Sequence, residues 1–300
     1  MIKKRSIGVQ MAGLLYGKKK ILFRTLFYLL LYSTMFIILI PFIIMVLSSF
    51  MSEHEIYLNN YPDFHLFARE WNTSSELFAN YKWLLTKSER GIATFINSLK
   101  IAIPTTIIST VVACLAAYPL SRTRLKGKNT ILFLFLFASM VPTMAILIPL
   151  YLQFVKIGLY DTIWAVIIVL TAYILPFSIW VMKAFFDTVP DSLEEAALID
   201  GCTRPKALLK IIIPLALPGI GAIAVYAFIS SWAEFLIALV LTRTNAQVFT
   251  MYIASFVNAE NVEISKVLTA GVVSCIPVVI LALLFQKLIV RGLIEGAVKG

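Results

Sequence analysis

Six stretches of this chain run apolar with almost no charge, at roughly 25–49, 96–120, 130–150, 162–186, 216–241 and 268–290. A helix rising 1.5 Å per residue crosses a hydrocarbon core of about 30 Å in about 20 residues, so each stretch is long enough to span a bilayer. The runs are continuously apolar, whereas a membrane strand alternates in and out. Only helices and closed barrels satisfy the backbone in lipid. The pattern therefore predicts an all-α integral membrane protein with six transmembrane helices over residues 25–300 and a polar tail at 1–24.

Composition agrees: 60% of residues are hydrophobic, 14% are charged, and mean hydropathy is +0.90. Soluble domains lie nearer a quarter charged. The net charge of +10 would suggest nucleic acid if it formed one patch, but it is split between connections. Lys3, Lys4, Arg5, Lys18, Lys19 and Lys20 precede the first apolar run. Arg122, Arg124, Lys126 and Lys128 follow the second, Arg204, Lys206 and Lys210 follow the fourth, and Lys287, Arg291 and Lys299 close the chain. Basic connections stay inside, which places both termini and the 121–129 and 187–213 loops in the cytoplasm. The excess is a topology signal and a contact for anionic lipid heads; a nucleic-acid partner is not implied.

The first apolar run is longer than a signal-peptide core and lacks a small-x-small cleavage site, so it reads as an anchor. Residues 6–16 fit either an interfacial segment or an unstructured tail. The external loop at 51–95 is rich in aromatics, among them Tyr57, Tyr61, Phe64, Phe67, Trp71 and Trp83. It suits either an interfacial belt or a platform for an external partner. Cys114, Cys202 and Cys275 have no partner at a useful spacing. His54 and His65 lack the context of a metal site. Asn97-Ser98 is a candidate cap for the second helix. Pro142, Pro149, Pro176 and Pro218 interrupt later helices, each freeing a carbonyl. Glu234, in Trp232-Ala233-Glu234-Phe235, is the clearest embedded charge. It reads as a pathway residue or as a structural hydrogen bond to another helix.

The 187–213 loop carries the most information. Ser192 with Glu195 fits a capping box, as does Asp191 with Glu194 one residue earlier. Ala196, Ala197 and Leu198 favour helix. Gly201 is a natural stop because it takes positive φ at little cost. Thr203 and Pro205 suit the start of a second helix running to Ile213-Pro214. Capping explains Glu195 and Gly201 but not a small face, Ala196 with Ala197, presented to the cytoplasm, where small residues permit close approach by another protein.

Glu195-Ala196-Ala197, then Gly201 after three residues, then Ile211-x-Ile213-Pro214 resembles the EAA signature of permease subunits of bacterial ABC importers. Ile213 stands where the family usually has leucine and Cys202 where it has alanine. Ala117-Tyr118-Pro119-Leu120-Ser121-Arg122, Gly158-Leu159-Tyr160-Asp161-Thr162, Trp232-Ala233-Glu234-Phe235 and the C-terminal 292–300 segment are similar to the carbohydrate branch, notably the maltose-type second permease subunit. The resemblance implies a type I ABC importer permease fold in the bacterial cytoplasmic membrane, with a cytoplasmic EAA coupling helix. It implies a second homologous permease, a heterodimer by family habit, two copies of a cytoplasmic ABC ATPase that uses ATP and Mg, and an extracytoplasmic solute-binding protein delivering a sugar. This chain would bind no cofactor itself. Leu193, Glu195, Ala196, Ala197, Leu198, Ile199, Asp200 and Gly201 would carry coupling to the ATPase. Asn97, Tyr173, Trp232 and Glu234 are candidates for the substrate pathway.

The chain holds no ATP loop of its own. Gly13 and Gly17 are separated by three residues and Lys18 is followed by Lys19, whereas a P-loop needs four and a hydroxyl residue. A secondary transporter or channel is the alternative, but it would show more midplane charge or duplicated halves. A membrane-embedded enzyme would show a nucleophile–base pair or ligand cluster.

Overall fold

A computed structural model describes the backbone of residues 2–58, 78–258 and 262–297 and the side chains of 23–58, 78–258 and 262–288. Tyr61, Phe64, His65, Phe67 and Trp71 of the external loop lie outside the described residues, as do the side chains of 6–16 and of the 292–300 motif. Every described element but one isolated bridge, Val257 with Val262, is helical.

In chain order the elements are α1 (Ile2–Ser48), α2 (Glu53–Leu58), α3 (Ala79–Lys82, running on as a π-turn, Trp83–Lys87) and α4 (Glu89–Arg122). Then come α5 (Lys128–Ser139), α6 (Thr143–Lys156), α7 (Ile163–Thr188) and α8 (Asp191–Ile199). α9 (Arg204–Ala207) continues through a π-stretch, Leu208–Ile212, into α10 (Ile213–Leu215). α11 (Leu217–Trp232), α12 (Leu236–Leu241), α13 (Phe249–Ala254) and α14 (Ile264–Ala297) complete the chain.

Four helices, within α1, α4, α7 and α14, are long and apolar enough to cross a bilayer, and two bent pairs raise the number to as many as six. α5 and α6 meet at 86°, and Arg204–Leu215 meets α11 at 80°. The apolar run at 130–150 is interrupted at Met140–Pro142, as expected of Pro142. Pro142 has no N–H and drives Val141 out of the helical region, so α6 starts afresh. Pro149 and Pro176, expected to interrupt their helices, lie instead inside continuous ones, as do Pro104, Pro119 and Pro277.

Three other expectations are corrected. α4 begins at Glu89, not near Asn97. Ser88 is its cap, accepting from the Gly91 N–H at 3.1 Å, while Ser98 is buried mid-helix. The helix outlasts its apolar run because charged residues cost nothing in a turn above the membrane. The 216–241 run is also split. α11 ends at Trp232, and α12 starts after a break that contains Glu234. At the N-terminus the helix extends back to Ile2 rather than starting near residue 25.

α4, α7 and α11 pack on one another at the centre. One apolar cluster joins Ile101, Leu170, Ile174 and Ile237; a second joins Ala113, Ala117, Phe186 and Ile212 toward the basic loops. Lipid tails are as apolar as these side chains, so close contact rather than water exclusion holds such helices together, and small residues gather where backbones approach. Gly219 shows this: a Cβ there would sit 2.3 Å from the ring of Phe185. Burial falls outward from this centre. Within the apolar window, 61% of α7 is buried, 39% of α4, 17% of α14 and none of α1.

Candidate functional site

α8 follows α7 after only Val189 and Pro190, so it leaves the bundle on a short stiff link. Pro190 is its cap residue, and no side chain caps the first turn. Neither predicted capping box forms. The acids of the Asp191/Glu194 frame are claimed by another helix: Arg122, the last residue of α4, forms ion pairs with Asp191 and with Glu194. Acids in a first turn still interact favourably with the helix dipole, so the residue types suit the place although their partner is not local.

Arg122 binds more than α8. Its Nη2 donates to the carbonyls of Phe186 at 2.8 Å and Val189 at 2.7 Å, where α7 ends. The Phe186 carbonyl also accepts from the Val189 N–H at 3.1 Å, so there Arg122 adds a second donor, while at Val189 it serves a carbonyl just past the helix end. Its Nε stands 3.4 Å from Glu194 Oε2, too poorly aligned for a hydrogen bond but close enough for charge pairing. Tyr118, one turn earlier on α4, donates to Glu194 Oε1 at 2.5 Å. The side chains of Arg122 and Glu194 are only 4% and 8% exposed, against 79% for Asp191. Solvent screens the Asp191 pair to at most about 1 kcal/mol, whereas removing one partner of a buried pair costs about 3–5 kcal/mol. Glu194 is therefore the anchor.

Among the nine residues of α8 only Glu194 and Ala197 are buried. One alanine methyl contributes about 0.8 kcal/mol, so the polar contacts, not packing, fix the helix. The expected small face is corrected here: Ala196 faces out, but Ala197 faces the chain. The outward side carries Glu195, Ala196 and Asp200 with two large apolar residues, Leu193 at 43% and Ile199 at 86% exposed. Leu198 is half-buried and, with Glu195, lines a cleft of about 570 Å³ whose other wall is Arg124, Lys126, Lys128 and Arg204.

Gly201 ends α8 at φ +85°. The Cys202 N–H donates to the Ala197 carbonyl at 2.9 Å and the Gly201 N–H to the Leu198 carbonyl at 3.1 Å, the paired bonds of a Schellman stop. A Cβ on Gly201 would meet nothing within 4 Å. Within this chain only the backbone conformation calls for glycine.

The four pathway candidates are not brought together. Tyr173 of α7 lines a largely apolar cavity of about 270 Å³ with Ile146, Phe154 and Ile237. The other three serve bonds inside the chain. Asn97 Nδ2 donates to the carbonyls of Asn245 and Gln247 at 2.9 and 3.2 Å. Trp232 is 4% exposed, stacked on Phe228, edge-on to Phe95, and its Nε1 donates to the Ser274 carbonyl at 3.0 Å. Glu234, half-buried in the helix break, accepts from the Ile237 N–H at 2.8 Å and so caps α12; its carbonyl accepts from Thr250 Oγ1 at 2.7 Å.

Sequence reasoning passed over a second polar centre at the opposite end. Asp161, at φ +59° in the turn between α6 and α7, accepts from the backbone N–H groups of Arg243, Thr244, Asn245 and Ala246. The Thr244 hydroxyl and Asn245 amide add two more bonds. Burial alone would raise its pKa, but the four backbone donors outweigh it and hold the carboxyl at about 2. The signal was present as Gly158-Leu159-Tyr160-Asp161, but nothing local says that its acceptor face meets a segment some 80 residues away.

Over residues 109–295 the sequence matches the family described as binding-protein-dependent transport system inner membrane component. It is 35% identical to the trehalose transport system permease protein SugB of Mycobacterium tuberculosis (strain CDC 1551 / Oshkosh), across 76% of this chain and 84% of that protein. It is 38% identical to the trehalose/maltose transport system permease protein MalG of Thermococcus litoralis, across 68% of this chain and 74% of the relative. The fold resembles a chain from the crystal structure of a bacterial ABC transporter involved in the import of the acidic polysaccharide alginate. Its TM-score is 0.71 at 24% identity, covering 89% of this chain and 96% of the other.

Proposed function

The chain belongs to the family of binding-protein-dependent transport system inner membrane components, a multi-pass permease of the bacterial cytoplasmic membrane, and we propose that it imports a sugar or oligosaccharide by coupling through α8 to a separate ATPase. Permeases of this family work with a second permease, an ATPase and a binding protein. In the proposed assembly the other permease is a different, homologous chain, and two ATPase copies use ATP and Mg. This chain does no catalysis and holds no cofactor. The names of the relatives support a sugar as cargo.

The observation that carries the reading is the outward side of α8. Leu193 and Ile199 are large apolar side chains exposed in a segment outside the spanning helices. Exposed apolar residues at a rigid, projecting helix suit a docking partner. Leu193, Glu195, Ala196, Leu198, Ile199, Asp200 and Gly201 form the proposed contact. Ala197 supports it from the inner face. Asn97, Trp232 and Glu234 act in the proposed permease as supports of the external half, and Tyr173 is the candidate that lines an open cavity.

The test is purification of the tagged chain from native membranes, with mass spectrometry and an ATP hydrolysis assay on the product. A second permease and an ATPase should co-purify. Gly201→Asp should release the ATPase and keep the permease pair, because aspartate tolerates positive φ better than most residues and its side chain would project into the open space the partner fills. Recovery of the chain alone, unchanged by Gly201→Asp, would favour a secondary transporter or channel that works without an ATPase.

A further inference from the structure

We infer that Arg122 is a positioning residue that welds the coupling helix α8 to the ends of α4 and α7, so that the three move as one body when the ATPase displaces α8. The inference rests on the proposed docking of an ATPase at α8 for its functional meaning, but the weld itself is a property of this chain.

Four observations converge. Arg122 is the last residue of α4 and its side chain is 4% exposed. The guanidinium reaches two carbonyls at the end of α7 and two carboxylates at the start of α8. Tyr118 ties the same Glu194 to α4 one turn deeper. Apolar packing cannot replace these bonds, since Ala197 is the one apolar residue α8 buries.

Geometry makes arginine necessary. A planar fork presents several donors in fixed directions, and it can serve carbonyls on one edge while facing carboxylates on another. A lysine would keep the charge beside Glu194 but, as a point donor, could not hold both helix ends. A lever joined loosely to its load wastes its travel. α4 and α7 pack at the centre of the bundle, so a weld at their ends passes displacement of α8 straight to the core. The outward residues of α8 are left free of this task, which separates docking from transmission within one helix: Glu194 and Ala197 face the chain, while Glu195, Ala196 and Ile199 face out.

The test measures distances within the complex. Spin labels go on native Cys202, just past the end of α8, and on Ile168→Cys, exposed on α7, with Cys114 and Cys275 replaced by serine. Pulsed electron resonance is recorded on the assembled complex with ADP and with ATP plus vanadate. With Arg122 in place the distance distribution should be narrow and the same in both nucleotide states. Arg122→Lys should broaden it and make it differ between the states while the ATPase stays bound. Tyr118→Phe should do the same to a smaller degree. A native distance that shifts with nucleotide, or distributions in both variants as narrow as the native one, would overturn the inference. If Arg122→Lys fails to accumulate, Tyr118→Phe decides by the same measure. Absence of a co-purifying ATPase would sink the proposed docking instead. In that case a narrow native distribution that broadens on Arg122→Lys would leave the weld standing.

Discussion

The two polar ends of the bundle are held on opposite plans. At the external end one carboxylate, Asp161, gathers four successive backbone N–H groups of the 243–246 turn. Nearby, Asn97 takes two further carbonyls of the same segment, Ser98 accepts from the Phe249 N–H, and Ser88 bonds Tyr252. These polar groups find their partners within the chain. At the cytoplasmic end α8 hangs on Arg122 and Tyr118 and turns Leu193 and Ile199 into water. Polar groups paired internally hold a turn in shape without help, whereas a short helix outside the bundle that exposes Leu193 and Ile199 offers a face to a partner. A coupling element must be rigid at its root and unfinished at its face, and α8 is both.

The comparison breaks most sharply at the anchor. Glu194→Ala leaves Arg122 buried with the screened Asp191 and two carbonyls, and should destabilise the chain by about 3 kcal/mol, read as a fall in melting temperature in detergent. An unchanged melting point would mean that α8 is held by something other than the buried pair. A smaller effect is expected at the other end. Asp161→Asn keeps the positive-φ backbone, which asparagine tolerates, but turns an acceptor into a donor facing donors, at about 1–2 kcal/mol. The carboxyl titrates near 2 in the folded chain against 3.8 unfolded. Its contribution is therefore full above about pH 4 and is lost as pH falls through 2. The gap between Asp161→Asn and the native chain should close over that window, and a gap that persists at pH 2 would show that the charge is irrelevant. Smallest in stability is Ile199→Ser: the side chain is 86% exposed, so stability should change by less than about 0.5 kcal/mol. ATPase retention should nevertheless fall, and full retention would remove α8's outward face from the docking contact.

Much of this was legible from local pattern. Long charge-free runs announce spanning helices wherever they sit, because lipid imposes the same demand on every residue in the run. The stop at Gly201 was legible for a similar reason: positive φ is a property of one residue and its two neighbours. The helix pair around Gly201 follows from such short-range rules. The Asp191/Glu194 capping box was misread because those acids fit a local role equally well, and only the arrival of Arg122 from 69 residues away decides against it. Glu194 rather than Glu195 emerged as the buried member for the same reason, since two adjacent acids on a helix look alike until one side of that helix is covered.

Trp232 and Glu234 make the limit plain. As sequence they are an aromatic and an acid in an apolar run, the composition of a pathway. In the fold one fills the space between Phe95 and Phe228, and the other caps a helix that the hydropathy pattern does not show to begin there. The sequence by itself determined the class, the sidedness, the coupling segment and its stop, because each depends on residues close together or on the solvent around them. Tertiary structure alone decided which acid is anchored, which face of α8 is free and where the helices break. Those outcomes depend on donors and acceptors brought together from distant positions, and a buried charge or an open carbonyl takes its meaning from whichever group reaches it.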